Sequence, residues 1–348
     1  METLMIRFAS DYTEGAHPSI LAALTKTNYE QNPGYGEDPH CARAAQLIRK
    51  ACDTPNASVH FLVGGTQTNT IVISSLLKPY QGALCPESGH INVHETGSVE
   101  ATGHKILPLP AKDGKITAEQ VRKACDAHRN DASFEHIVQP GLVYISHPTE
   151  YGTLYTLQEL TDLSAVCRQY GLPLFLDGAR LGYGLASPET DVTLPDIARL
   201  CDVFYIGGTK VGALFGEAVV FSTPELATNF RYMIKRGGGM LAKGWLLGIQ
   251  FETLFENGLY FDLGKNAVTL AYRIRDAFRE KGIPFIMESP TNQQFPVLNN
   301  EQLEKLSREF SFTPWETVDA EHSAVRFCTS WATGEEQVEK LLSAIRSL

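Results

Sequence analysis

Four stretches far apart in the chain hold residue types that can do chemistry, and each follows a short apolar run. Asp177-Gly178-Ala179-Arg180 follows Pro173-Leu174-Phe175-Leu176, which puts an acid at the end of a buried strand. A carboxylate there is costly unless a cation meets it. A protonated pyridine nitrogen would do so, and the pair would make that ring an electron sink for a carbanion. The plainer alternative is a helix N-cap or an ion pair with Arg180. Gly207-Gly208-Thr209-Lys210 follows Val203-Phe204-Tyr205-Ile206. A lysine at a sheet edge loses solvation, its amine pKa drops, and it becomes suited to Schiff-base chemistry; the alternative is a solvated surface lysine. Gly64-Gly65-Thr66-Gln67 lies between a strand ending at Val63 and a helix over 66–77. Its glycines admit an anion closely and the helix N-terminus offers free N–H groups, which suits a phosphate, although the same turn serves as an ordinary cap. His90, in Ser88-Gly89-His90-Ile91 after the strand 83–85, could stack on a pyridine ring and exchange protons near neutral pH, or be structural. His94, four residues on, shares its face if this stretch is helical.

Singly, each alternative competes well. Jointly, a phosphate cradle, a stacking histidine, a pyridinium acid and a Schiff-base lysine in this chain order describe a site for pyridoxal 5′-phosphate (PLP). Ligands of open α/β sheets bind at the carboxyl ends of strands, where all four stretches fall. Gly64-Gly65-Thr66 lacks the G-x-G-x-x-G spacing of a dinucleotide fold.

The elements that position them alternate along the chain. Short apolar runs at 59–63, 142–146, 173–176, 203–206 and 218–221 are near-continuous, as in strands covered on both faces, so the sheet should be parallel in large part. Helical patterns interleave at 18–30, 41–52, 118–128 and 157–170. Beyond about residue 244 the texture changes to helices at 245–256 and 262–281, strands at 284–288, 294–298 and 324–328, and a last helix at 335–348. The expected architecture is a large α/β domain over 1–245, with an N-terminal arm at 1–16, and a smaller α+β domain over 246–348. A chain of 348 residues, 43% hydrophobic and 20% charged, can bury both cores. A net charge of −10 without long runs argues against nucleic acid. No 18-residue apolar stretch spans a membrane, and Met1 to Tyr12 lacks the apolar core of a signal peptide. The seven scattered cysteines form no CxxC or Cys/His cluster, so reduced buried thiols, no metal site and a cytoplasmic location are expected.

The motifs resemble the threonine aldolase / β-eliminating lyase group of fold type I PLP enzymes, which share the aspartate aminotransferase fold. The resemblance covers most of the chain: Ser10-Asp11, Tyr35-Gly36-Glu37-Asp38-Pro39, Gly64-Gly65-Thr66-Gln67-Thr68-Asn69, His90, Asp177-Gly178-Ala179-Arg180, Lys210, Gly237-Gly238-Gly239-Met240 and Val325-Arg326. It implies that Lys210 holds PLP as a Schiff base, Asp177 pairs with the pyridine nitrogen, His90 stacks on the ring, and Gly65 and Thr66, with Gln67 beside them, hold the phosphate. Arg326, with Ser10 and Arg180, would hold the substrate carboxylate, with Tyr35 and His94 nearby. The implied reaction is retro-aldol cleavage of an L-β-hydroxy-α-amino acid (threonine, allo-threonine or phenylserine type) to glycine and an aldehyde. The assembly it implies is a homodimer or homotetramer with sites at the subunit interface. A β-eliminating lyase or aminotransferase would share Lys210 and Asp177, and a non-catalytic PLP-binding protein could use the same scaffold.

Three departures from the family pattern stand out. Gly208-Thr209-Lys210-Val211 replaces the usual Ser-Lys-Gly, and Pro148-Thr149-Glu150-Tyr151-Gly152 replaces Asn-Thr-His-Asn-Gly, so Glu150 stands where a histidine would meet the β-hydroxyl. Leu241 replaces the arginine after Gly-Gly-Gly-Met, with Lys243 two residues on as a substitute. The pattern is closer to phenylserine-aldolase-like members, and His90, Glu150 and His94 are all candidates for the base. Borohydride reduction of the PLP-loaded protein and peptide mapping should place the label on Lys210, and Lys210→Ala should lose the visible cofactor band. A label on Lys235 or Lys243 would overturn the assignment.

Overall fold

The computed structural model describes residues 5–348, so the first four residues of the expected 1–16 arm lie outside it. Its main sheet follows from the apolar runs. Val203–Gly207 is buried at every position, too short for a helix, and rich in β-branched and aromatic residues. It sits inside a seven-stranded sheet ordered Ser58–Leu62, Glu217–Phe221, Val203–Gly207, Leu174–Asp177, Gln139–Ser146, Gln81–Pro86 and Ile106–Leu109. Six strands share one direction, and Glu217–Phe221 alone runs against them. One edge therefore gathers six carboxyl ends and the amino end of the seventh strand.

Side chains alternate between two cores with the period of a strand. Val143, Ile145, Phe204, Ile206 and Val220 face one layer with Ile48, Leu163, Phe251 and Leu254. Leu142, Tyr144, Phe175, Tyr205 and Val219 face the other, against Ile71, Val72 and Ile73 of the helix Gly65–Leu76. The helix Leu157–Tyr170 begins with a Thr156/Glu159 capping box and stops at Gly171, whose φ of 68° is a left-handed cap. Ile106–Leu109 and Thr313–Thr317 were not expected from the sequence: each is a sheet-edge strand carrying a proline and partly exposed residues, so its apolar signal is diluted.

A second, antiparallel sheet runs Thr313–Thr317, His322–Cys328, Gln293–Asn299, Phe285–Met287. Its core joins Phe8, Ile274, Phe278, Leu298, Phe327 and Leu341. The 22-residue helix Leu259–Glu280 serves both cores: Tyr260, Leu263, Ala267 and Val268 pack in the large one, Leu270, Ile274 and Phe278 in the small. The helix Trp245–Glu256 also packs in the large core, through Phe251, Leu254 and Phe255. We therefore propose a domain division within Leu259–Glu280 in place of residues 245/246.

The arm straps the two domains together. Ile6–Arg7 pairs in parallel with Phe310–Ser311 of the small domain. Asp11, fully buried, receives Arg180 Nε at 2.7 Å, Arg180 Nη2 at 3.0 Å and Asn292 Nδ2 at 2.9 Å. Burial pushes its carboxyl up, but Arg180 and the other donors outweigh this and hold it at about 2. Removing one partner of such a pair leaves a buried charge alone, so Asp11→Asn should cost about 3–5 kcal/mol in denaturant unfolding. Because the folded pKa is depressed, this difference should persist at neutral pH and shrink as pH falls from 3.8 toward about 2. A loss under about 0.5 kcal/mol would show that the pair is not a fastener.

Candidate active site

Asp177 ends a central strand and is 4% exposed. Its charge is met by phenols and amides. Tyr144 Oη donates to Oδ2 at 2.6 Å, Tyr205 Oη to Oδ1 at 2.5 Å, Asn69 Nδ2 to Oδ2 at 3.0 Å and the Ala179 N–H to Oδ1 at 3.0 Å. Burial pushes the carboxyl up, yet the His90 imidazole and these donors outweigh it, and Asp177 lies below the ordinary aspartate value. The phenols are pushed far up, by burial first and Asp177 second, so they remain neutral donors. The ion pair with Arg180, one alternative for this acid, is not formed: Arg180 is taken by Asp11.

His90 opens a one-turn helix, His90–Val93, after the strand Gln81–Pro86. Its Nδ1 lies 2.7 Å from the buried Glu95 Oε1, which also accepts from Asn69 Nδ2 at 2.7 Å. Burial lowers the imidazole pKa, but Glu95 and Asp177 raise it further, so His90 holds its proton above the usual range. The His94 ring is 5.5 Å from that of His90 and is pushed the other way, by burial and by His90.

Glu150 Oε1 accepts from the His90 N–H at 2.8 Å and from Ser146 Oγ at 2.7 Å, and Oε2 is buried with no partner among the described residues. Burial raises its pKa. Among the described residues it forms no hydrogen bond or ion pair with Arg180 or Lys243, the structural partners considered from sequence. Lys210 stands on the turn after Val203–Gly207, with its carbonyl accepting from Tyr183 Oη. Burial and then Arg180 lower its amine pKa.

The cradle is open at its polar end. The helix Gly65–Leu76 starts from Gly64 with no side-chain cap, which leaves its first N–H groups unbonded by side chains. A Cβ on Gly65 would approach Tyr205 Oη at 3.1 Å, so the glycine lets the turn sit against the sheet.

These groups surround two cavities. The inner one, about 220 Å³, is lined by Gly64, Gly65, Thr66, Asp177, Tyr205 and Glu217. The outer one, about 630 Å³, is lined by Tyr12, His94, Tyr151, Trp315, Glu316 and Arg326. His90, Glu150, Arg180 and Lys210 line both. Arg326 is held over the Trp315 ring at 5.4 Å, its Nη1 donating to Gln293 Oε1 and its Nη2 to the Ala9 carbonyl, each at 3.2 Å; Nε has no partner among the described residues.

Other expected residues are placed differently. The Gln67 side chain is turned to other partners, its amide accepting from the Val63 N–H at 3.3 Å and donating to the Gly237 carbonyl at 3.4 Å, while its backbone stays in the first turn of the cradle helix. Tyr35, 47% exposed, lines a separate cavity of about 270 Å³ with Arg231 and Gly239, and Lys243 is exposed and lines neither site cavity. Ser10 Oγ is buried without a partner among the described residues, next in the chain to the Ala9 carbonyl that accepts from Arg326. Tyr144, Tyr205, Asn69, Glu95 and Glu217 were missed. The signal for the tyrosines was a phenol within an apolar strand, which needs a partner when buried.

The chain matches the beta-eliminating lyase family over residues 7–301. It belongs to that family. The resemblance read from the motifs thus holds. The chain is 32% identical to the low specificity L-threonine aldolase of Pseudomonas sp., covering 98% of this chain and 97% of that one. It is 30% identical to the enzyme of the same description from Pseudomonas aeruginosa, over 98% and 97%. A solved Leishmania major threonine aldolase superposes with a TM-score of 0.95 at 45% identity, over 98% and 99% of the two chains. Thermus thermophilus aspartate aminotransferase, 13% identical, superposes at 0.71 over 99% and 92%; it shows the fold type I architecture alone.

Asp177→Asn should keep the shape but remove the charge that Tyr144 and Tyr205 hold in place. We expect turnover to drop on the order of 10²-fold or more, with weaker PLP binding. A near-normal rate would show that the carboxylate has no part in the site.

Proposed function

We propose that this family member uses PLP to cleave L-β-hydroxy-α-amino acids to glycine and an aldehyde. The reading is carried by one observation: Lys210, Asp177, Glu150 and Arg326 converge on two cavities that share a wall. The residues fit the cofactor. The uncapped helix N-terminus suits a phosphate, the ionised Asp177 suits a pyridinium, and the lowered pKa of Lys210 suits an amine that must react as a free base. When bound, PLP supplies an electron sink for the pair released at Cα.

The chain's own groups do the rest. Arg326 offers its fork to the substrate carboxylate, which orients the Cα–Cβ bond. Arg180, which lines both cavities and is gripped by Asp11, and Ser10, next to the Ala9 whose carbonyl accepts from Arg326, support that end of the site. Glu150 accepts the β-hydroxyl proton at Oε2, the atom that lacks a partner among the described residues, and its raised pKa brings it toward the range of a working base. His90 is less suited, because Glu95 and Asp177 hold a proton on it; its face remains for stacking. Tyr151 and Trp315 line the outer cavity beside Arg326 and favour a substrate with an aromatic side chain, of phenylserine type.

Tyr35 and Lys243 stand away from Lys210, and Tyr29 and Tyr232 are 94% and 77% exposed. We assign this face to a second copy, in a homodimer or homotetramer in which these residues approach the neighbouring site. Seven buried, unpaired cysteines support a cytoplasmic location, and no helix of the described residues is long and apolar enough to cross a membrane.

A panel of β-hydroxy-α-amino acids with aldehyde detection tests the reaction. Pyruvate and ammonia would instead mark β-elimination, an amino-group exchange would mark an aminotransferase, and no product with a bound cofactor would mark a binding protein. Glu150→Gln should slow aldehyde release by about 10²-fold or more yet leave glycine Cα-hydrogen exchange nearly unchanged, since exchange involves no β-hydroxyl. Equal losses in the two rates would assign Glu150 to holding the site together.

A further inference from the structure

Glu217 has no role in the chemistry above, yet it lines the inner cavity. It is the first residue of the antiparallel strand, and the register pairs it with Leu62 on one side and Gly207 on the other. Those residues end the strands that lead into Gly64-Gly65-Thr66 and Gly208-Thr209-Lys210. The acid thus stands between the anion cradle and the lysine turn, and lines the cavity they share.

It is 3% exposed. Oε1 accepts from Thr209 Oγ1 at 2.8 Å, and that hydroxyl accepts from the Gly216 N–H at 3.0 Å. Oε2 is buried with no hydrogen-bond partner among the described residues. The titratable groups facing Glu217 are Lys210 on the neighbouring turn, Tyr205 on the adjacent strand, Asp177 two strands over and Tyr260 from the helix Leu259–Glu280. On the other side, the turn after Ser58–Leu62 carries Val63, Gly64, Gly65 and Thr66, none of them charged.

We propose that Glu217 is a neutral carboxylic acid that donates its Oε2 proton to a phosphate oxygen of the cofactor. A phosphate is an acceptor in every direction, and an ionised carboxylate against it would add repulsion to the cost of a buried charge. The neutral acid supplies an O–H donor at Oε2, an atom with no other hydrogen-bond partner among the described residues. Burial raises its pKa to about 8, against the opposing pull of Thr209 and Lys210, so the donor is present at neutral pH and lost above that value.

The inference rests on the PLP reading, and the test separates the two. The affinities of the cofactor-stripped full chain for PLP and for pyridoxal, which lacks the phosphate, are measured from about pH 6.5 to about pH 9.5; the ratio removes effects shared through Lys210. In the wild type the PLP/pyridoxal preference should fall above about pH 8, by up to tenfold per pH unit. Glu217→Gln, a permanent neutral donor of the same shape, should abolish that fall and bind PLP within a few-fold of wild type at neutral pH. Glu217→Ala should weaken PLP about tenfold or more while leaving pyridoxal unchanged. Unfolding midpoints of both variants confirm that they fold. Identical pH dependence in wild type and Glu217→Gln, or equal weakening of PLP and pyridoxal, would overturn the assignment. Uptake of neither compound at any pH would instead defeat the cofactor reading itself.

Discussion

The charge on Asp177 organises this molecule. A carboxylate at the end of a central strand, 4% exposed, stays ionised only if the fold supplies enough donors to replace water. Tyr144 and Tyr205 do this from the two strands that flank it, because alternation along each strand turns their rings to the face covered by the helix Gly65–Leu76. Asn69 of that helix joins them and also reaches Glu95, so the network that holds Asp177 extends to His90. The cradle helix, the acid and the histidine therefore form one connected unit, and a shift in any of them disturbs the donors of the others.

A second constraint is that two domains must meet at the same edge. Arg326 belongs to the small sheet and Lys210 to the large one, and the arm sets their relation. The Ala9 carbonyl accepts from Arg326 Nη2 at 3.2 Å and from Thr313 Oγ1 at 2.7 Å, while Asp11, two residues on, grips Arg180 and Asn292. Ile6–Arg7 anchors the arm to the small domain, and the helix Leu259–Glu280 runs through both cores. The buried Asp11 contacts and the shared helix thus hold the Arg326 guanidinium at the edge where Lys210 stands.

Reversing one strand has chemical consequences. With Glu217–Phe221 inverted, its amino end lies among the carboxyl ends of the others, and the edge gains an acid that a fully parallel sheet would have carried to the opposite side. Sequence reading of the apolar run at 218–221 stopped one residue short of this acid, since a charged residue beside a buried strand looks like its boundary.

The sequence by itself determined the α/β alternation, the parallel bias of the sheet and the positions of Lys210, Asp177, His90 and Glu150, because strand burial and turn chemistry are local properties written in adjacent residues. The family was readable from the same motifs. What only the tertiary structure decided were the partners: that Arg180 serves Asp11, 169 positions away; that two tyrosines 61 residues apart clamp one carboxylate; that the Gln67 amide is spent on Val63 and Gly237 and Lys243 stands away from the inner cavity. Such pairings depend on which strands become neighbours and in which direction they run, and a hydrogen bond between residues distant in the chain leaves no trace in the local pattern of either.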